Sequence, residues 1–222
     1  ITCRDWSSDV CSSDLDPSQE AFLRDHSLNG IPLLPGVMGI EGFSIAAQHV
    51  ALTLGNAKNG FRVDRLENIQ FLTPFKFYRN EARKISWKAQ VLRVAEGLVA
   101  HMTLESDLIR VHHHSDHMIH FSGQVYLSPE KQVAAAKGKA PHWNGAYTLQ
   151  AADIYKLYFH GPAFQVLEGV QVDGNLILGK LNRQIPSLTN PATSEISLPV
   201  LVELSLQTAG IWEIGKAETL SL

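Results

Sequence analysis

From Val37 to Leu54 the chain sets apolar residues at 37, 40, 43, 46, 47, 50 and 54, one stripe of an α-helix. Pro35 stands where a helix begins and Gly55 where one stops. Strand-like alternation comes next, over 61–71, 84–94, 98–109 and 118–127, with Gly97 turning the chain between the second and third runs. In 84–94 the pattern runs through Ile85, Trp87, Ala89, Val91 and Leu92. A long helix leading into several antiparallel strands restricts the chain to an α+β architecture, with a sheet laid against the helix.

Residues 129–145 change character, with Pro129, an alanine run, Gly138, Pro141 and Gly145, and read as a linker. Beyond them comes a weaker echo of the first half. A short helix over 150–158 precedes Gly161-Pro162, and a hairpin over 166–172 and 176–181 turns at Asp173-Gly174-Asn175. A second apolar helix opens at Leu198-Pro199 and runs to Ile214. The expected division is therefore 16–128, a linker over 129–145, and 146–222, the second half lacking strands after its helix.

Composition excludes several functions. With 45% hydrophobic and 18% charged residues and a net charge of −3, the chain is ordinary for a globular protein and carries no basic footprint for nucleic acid. No apolar run reaches the roughly 18 residues of a membrane span. No secretory signal core opens the chain, so the expected location is the cytoplasm. No Gly-x-Gly-x-x-Gly, P-loop or Gly-x-Ser-x-Gly motif supports nucleotide binding or serine hydrolysis.

Residues 1–15 differ in composition from the rest of the chain and resemble a translated sequencing adapter. They hold both cysteines, Cys3 and Cys11. Set aside from the fold, they leave no cysteine for a disulfide, a zinc thiolate or a nucleophile. The run His112-His113-His114-Ser115-Asp116-His117-Met118-Ile119-His120 invites a metal reading. Consecutive extended residues point to opposite faces, though, so a solvent-facing hairpin loop is expected and no metal site.

Chemistry concentrates in two places. His26-Ser27-Leu28-Asn29-Gly30-Ile31-Pro32-Leu33-Leu34-Pro35-Gly36 sets a histidine beside a turn glycine and ahead of the first helix, the pattern His-x3-Gly-x4-Pro-Gly. A histidine at a turn is ordinarily a solvent-facing residue, and its register with Gly30, Pro35 and Gly36 singles this one out. Far downstream, Pro199-Val200-Leu201-Val202-Glu203-Leu204-Ser205-Leu206-Gln207 puts a carboxylate and an amide four residues apart, on one helical face.

These two motifs, with Tyr158-Phe159-His160-Gly161-Pro162-Ala163-Phe164 between them, resemble the dehydratase domains of type I polyketide and polyunsaturated fatty acid synthases. The resemblance implies a double hotdog, two curved antiparallel sheets each wrapping a central helix, with the second hotdog truncated at its C-terminus. It implies loss of water from a 3-hydroxyacyl thioester borne on an acyl carrier protein, leaving a 2-enoyl thioester. His26 stands at the base position. Glu203 stands at the acid position, where the family most often has aspartate; the extra methylene lengthens the side chain by about 1.5 Å.

The chemistry suits these residue types, because a near-neutral histidine removes a C2 proton and a buried carboxylic acid delivers one to the leaving hydroxyl. Gln207 would hold the carboxyl. Gly36 and Val37, at a helix N-terminus, would offer N–H groups to the enolate-like oxygen, and a side chain at 36 would crowd the ligand. Tyr158 would donate to substrate; Gly30, Pro35 and Gly161 would shape the channel, and His160 reads as a turn residue. No cofactor is expected, since the substrate's phosphopantetheine belongs to the partner carrier protein. Neighbouring synthase domains are the other expected partners, and a homodimer would form through the parent synthase. Two other readings remain: a catalytically silent acyl-binding scaffold, and a hotdog thioesterase that uses a carboxylate to activate water.

Overall fold

The computed structural model describes residues 10–54, 60–95, 97–109, 115–129, 141–186 and 197–216. It divides into two units. One comprises Ile1–Gln19 with Leu33–Ala135, the other Glu20–Pro32 with Ala136–Leu222.

In the first unit β1 (Val10–Leu15) leads, and after residues 20–32 the chain returns as helix α2 (Gly36–Leu54). Strands β4 (Phe61–Phe71), β5 (Arg83–Val94), β6 (Gly97–Ile109) and β7 (Ser115–Pro129) complete a five-stranded antiparallel sheet in the order β1-β5-β6-β7-β4. The helix packs on four of these strands, β4 to β7. Its buried stripe is Val37, Phe43, Ala46, Ala47, Val50 and Ala51. Gly39 and Gly42 flatten the same face. A methyl added to Gly42 would lie 2.2 Å from the Trp87 indole, and one on Gly39 would lie 2.4 Å from the Phe121 ring.

Residues 10–15 differ from expectation. They pair with β5 from Val10↔Lys88 to Leu15↔Arg83, Cys11 is 1% exposed, and Cys11 is disulfide-bonded. The chain's other cysteine, Cys3, lies outside the described residues. The pairing uses backbone groups at the open edge of β5, which polar Ser12, Ser13 and Asp14 satisfy as well as apolar residues would. The histidine run is corrected in part. Residues 110–114 lie outside the described residues, but 115–120 belong to β7 and His120 is 1% exposed, between Ser106 Oγ at 2.8 Å and the Thr73 carbonyl at 3.0 Å.

The second unit opens with helix α1 (Ala21–Asp25), anchored by buried Phe22 and Leu23. His26 terminates it, and a hairpin of β2 (Ser27–Leu28) and β3 (Ile31–Pro32) comes next. Its two-residue turn is Asn29-Gly30 with φ of 52° and 75°, the doubly positive geometry that Asn-Gly adopts most readily. The remaining elements are β8 (Leu149–Gln150), α3 (Ala151–Ile154), β9 (Leu167–Asp173), β10 (Leu176–Leu181) and α4 (Leu198–Lys216). Among the described residues they give a three-stranded sheet, β10-β9-β8, with α4 across β9 and β10. Ile154, Leu167, Val170 and Ile211 form its core, flanked by Tyr155 and Tyr158.

Each unit is thus a helix against an antiparallel sheet, the hotdog layout, and the chain is an α+β double hotdog. The division differs from the expected boundaries, since residues 20–32 are built into the second unit rather than the first. Of the expected linker, residues 130–140 lie outside the described residues.

Candidate active site

The site grows from α4. Pro199 and Val200 in its first turn are buried, and one turn further Glu203 is 7% exposed and Gln207 3%. Their spacing of four residues puts the two side chains one above the other, and Gln207 Nε2 donates to Glu203 Oε1 at 2.7 Å. The same Nε2 donates to the Phe164 carbonyl at 2.9 Å, and Gln207 Oε1 accepts from the Tyr155 hydroxyl at 2.9 Å. The Tyr155 oxygen in turn accepts from the Leu167 N–H at 2.7 Å. Gln207 has no rotational freedom left, and it aims the carboxyl. Burial pushes the Glu203 carboxyl above the usual carboxylate range, with the Gln207 hydrogen bond pulling partly back. A carboxyl so held keeps its proton to higher pH than an exposed glutamate.

His26 reaches the same place from α1. Its ring lies 5.0 Å from Phe159, 5.4 Å from Phe164 and 5.5 Å from His160, centroid to centroid. The residue before it fixes its position. The Gly161 N–H donates to the Asp25 carbonyl at 2.7 Å, and the Ala163 N–H donates to Asp25 Oδ2 at 2.8 Å. A methyl on Gly161 would lie 2.9 Å from the Asp25 backbone. Gly161 was expected to make room for substrate; the close approach it permits is to the backbone that carries His26.

Two further expectations change. Tyr158 donates its hydroxyl hydrogen to the Gln207 backbone carbonyl at 2.9 Å, with Gly210 beneath it, so that proton is held on α4 rather than offered to a substrate. Burial, with Glu203 and Glu213 nearby, pushes its pKa up to about 12. His160, expected to be a turn residue, packs against the Glu203 carboxyl. Its side chain is 11% exposed and its Nε2 lies 3.3 Å from Glu203 Oε1. Burial, with His26 beside it, pulls the imidazole down to about 4, so it is neutral at cellular pH. The missed signal was spacing: Tyr158 and His160 are two apart on a non-helical segment, hence on one side of it.

His26, His160, Gly161, Glu203 and Gln207 are thus brought together within the second unit, with Gly30 in the hairpin next to His26. Pro35, Gly36 and Val37 belong to the first unit, at the start of α2. There Gly36 has a packing reason of its own, because a methyl on it would lie 2.8 Å from the Phe71 ring. Among the described residues no cluster of His, Cys, Asp or Glu has the arrangement of a metal site, and no helix is long and apolar enough to cross a membrane.

Residues 3–98 match the family model described as polyketide synthase dehydratase domain. Among solved structures the chain is similar to a trans-AT polyketide synthase dehydratase domain from Brevibacillus brevis, at 21% identity and a TM-score of 0.69, over 93% of this chain and 74% of that one. It is similar to the CurK dehydratase, solved as an inactive aspartate-to-asparagine mutant, at 16% identity and 0.63, over 90% and 67%. It is similar also to the CurJ dehydratase, solved as an inactive histidine-to-phenylalanine mutant, at 16% and 0.62, over 92% and 67%. At such identities these likenesses speak for the fold. The family model is matched by residues 3–98, less than half of the chain, and the fold is that of a polyketide synthase dehydratase domain.

Proposed function

We propose that this dehydratase domain acts on a 3-hydroxyacyl thioester carried by an acyl carrier protein, with His26 as base and Glu203 as acid. His26 takes the C2 proton as the C3–O bond breaks, and Glu203 gives its proton to the departing hydroxyl, so that water and a 2-enoyl thioester leave. The observation that carries this reading is the state of Glu203: buried, raised in pKa and aimed by Gln207, it suits a proton donor. Its grouping with His26 around His160 adds the base. Inactive mutants of related dehydratases altered at a histidine and at an aspartate are in keeping with such a pair. Both proton transfers come from side chains, so the reaction as proposed calls for no metal or organic cofactor. The carrier protein and neighbouring synthase domains are the proposed partners.

The test follows 3-hydroxyacyl carrier protein by mass spectrometry for loss of water, with wild type, His26→Ala and Glu203→Gln side by side. Water loss in wild type that collapses in both variants is expected. A folded wild type that loses no water from any of several chain lengths would overturn the proposal and favour the silent acyl-binding reading. Release of free acid without enoyl formation would point to a thioesterase.

A further inference from the structure

The proton transfer in the mechanism just proposed, on which this inference rests, constrains where the substrate lies. For His26 to take the C2 proton, C2 must come within about 3–3.5 Å of its ring nitrogen. Whatever borders that ring on its open side then touches the carbons next to C2. Three aromatic rings border it: Phe159 at 5.0 Å, Phe164 at 5.4 Å and His160 at 5.5 Å, centre to centre. Two of them are closed to a ligand. Phe164 is 0% exposed, and the His160 side chain, 11% exposed, is turned to Glu203. Phe159 is 45% exposed. Of the three, it alone offers open surface beside the base.

A single exposed apolar residue is ordinary on a protein surface. Phe159 differs in being fixed between both histidines. Its ring lies on His160, 18° from parallel with 4.4 Å between centres, and it meets His26 edge to face at 66°. The residues on either side of it are committed elsewhere, Tyr158 to the Gln207 carbonyl and His160 to Glu203. A surface already ordered in this way loses little further freedom when a ligand covers it. Leu28, on the hairpin that His26 leads into, is a second exposed apolar side chain.

The phenyl ring has no hydrogen-bonding atom, and this decides which part of the substrate can lie on it. On one side of C2 the substrate carries the thioester carbonyl and an amide-bearing arm, whose polar groups would be left unpaired against the ring. On the other side, beyond the C3 hydroxyl, lies the acyl chain. Hydrocarbon removed from water there is favourable, whereas a hydroxyl in the same place would lose water and gain no partner. We infer that Phe159 determines the specificity of this site: its open face carries the first carbons of the acyl chain beyond C3, and it selects chains that are hydrocarbon there over chains hydroxylated there. Phe159 touches the substrate and takes no part in the proton transfers.

The test measures kcat/KM of the full chain for water loss from 3-hydroxyoctanoyl and from 3,5-dihydroxyoctanoyl carrier protein. Wild type should favour the first by at least about tenfold, the scale that one apolar contact yields in an enzyme site. Phe159→Ala should bring the ratio within about threefold, mainly through loss on the first substrate, and Phe159→Leu, still apolar, should keep most of the preference. A ratio taken on one variant is insensitive to any loss of folded protein that both substrates share. A wild type without preference, or Phe159→Ala with the wild-type ratio, would overturn the inference. So would an equal fall on both substrates, the mark of a ring that only packs. If wild type loses no water from either chain, the dehydratase reading itself fails and this inference with it. Water loss in wild type with a ratio that the variants leave unmoved sinks the inference alone.

Discussion

Replacing Gln207 with methionine, which is similar in length but apolar, should both weaken the second unit and disarm the acid. Three bonds disappear together: the one to Glu203 Oε1, the one to the Phe164 carbonyl and the one from the Tyr155 hydroxyl. Their fates differ. The Phe164 carbonyl, on a residue of 0% exposure, loses its side-chain donor and costs about 1–3 kcal/mol. Tyr155 still accepts from the Leu167 N–H, so its stranded hydroxyl hydrogen costs about 1 kcal/mol. Glu203 loses the one interaction that holds its pKa down, so it becomes harder to ionise. Together the change should cost about 2–5 kcal/mol, a large share of the ~5–15 kcal/mol that holds a domain folded. Native-state hydrogen exchange of the α4 amides reads the second unit without averaging over the first. A double-mutant cycle with Glu203→Gln should return a coupling of about 0.5–3 kcal/mol. A loss below about 1 kcal/mol in α4 protection, or no coupling to position 203, would refute the view that Gln207 is the clamp of this site.

Three further outcomes come from the same geometry. Glu203 has a raised pKa, so its contribution to stability is present below the usual value of 4.5 and fades as pH rises through the folded value; His160, lowered from 6.5 to about 4, contributes above 6.5 and fades as pH falls through 4. In unfolding free energies measured against pH, Glu203→Gln should flatten the decline that begins as pH rises above 4.5, and His160→Gln the acid limb between 6.5 and 4; unchanged profiles would count against both environments. Gly161→Ala should push Asp25 away and disturb His26, destabilising by about 1–3 kcal/mol and lowering kcat more than it raises KM, whereas normal kinetics would mean the close approach is incidental. Gly30→Ala has open space around it but a φ of 75°, so backbone strain alone should cost about 1 kcal/mol in chemical denaturation, and a neutral result would mean the hairpin relaxes.

What could be read in advance was local. The apolar stripe and the flanking Pro35 and Gly55 anticipated α2 (Gly36–Leu54) from residue 37 on, and alternation anticipated β4 as Phe61–Phe71, because both signals lie within the element itself. The edge strand over 10–15 was missed for the opposite reason: its partner is 68 or more residues away, and the pairing asks little of its side chains. Residues 20–32 were placed in the wrong half because a helix of five residues carries no mark of which sheet it will join. At the site, Glu203 and Gln207 were legible as a pair on one helical turn. His160 was passed over, because beside Gly161-Pro162 it looks like any turn histidine, and its two-residue spacing from Tyr158 was the one sequence cue to its burial against Glu203. The partner of the Tyr158 hydroxyl was not legible, since it depends on what packs above it.

The bond from Ala163 to Asp25 joins residues 138 apart in sequence, and that separation sets an order of events at the ribosome. The segment carrying His26 is synthesised early, yet its own unit cannot close until the chain beyond residue 136 has emerged. Closing so long a loop in a free coil carries a chain-entropy penalty of roughly 4 kcal/mol beyond a fixed constant. Residues 33–135, with their mostly neighbouring strand pairs, can fold first and convert most of that loop from coil into structure. The histidine is then seated last, after both sheets exist. The same wiring governs how such a gene can be recombined. A crossover near residue 136 would carry the carboxyl to the new chain and leave the imidazole behind, so each half would inherit only half of the proton chemistry proposed here.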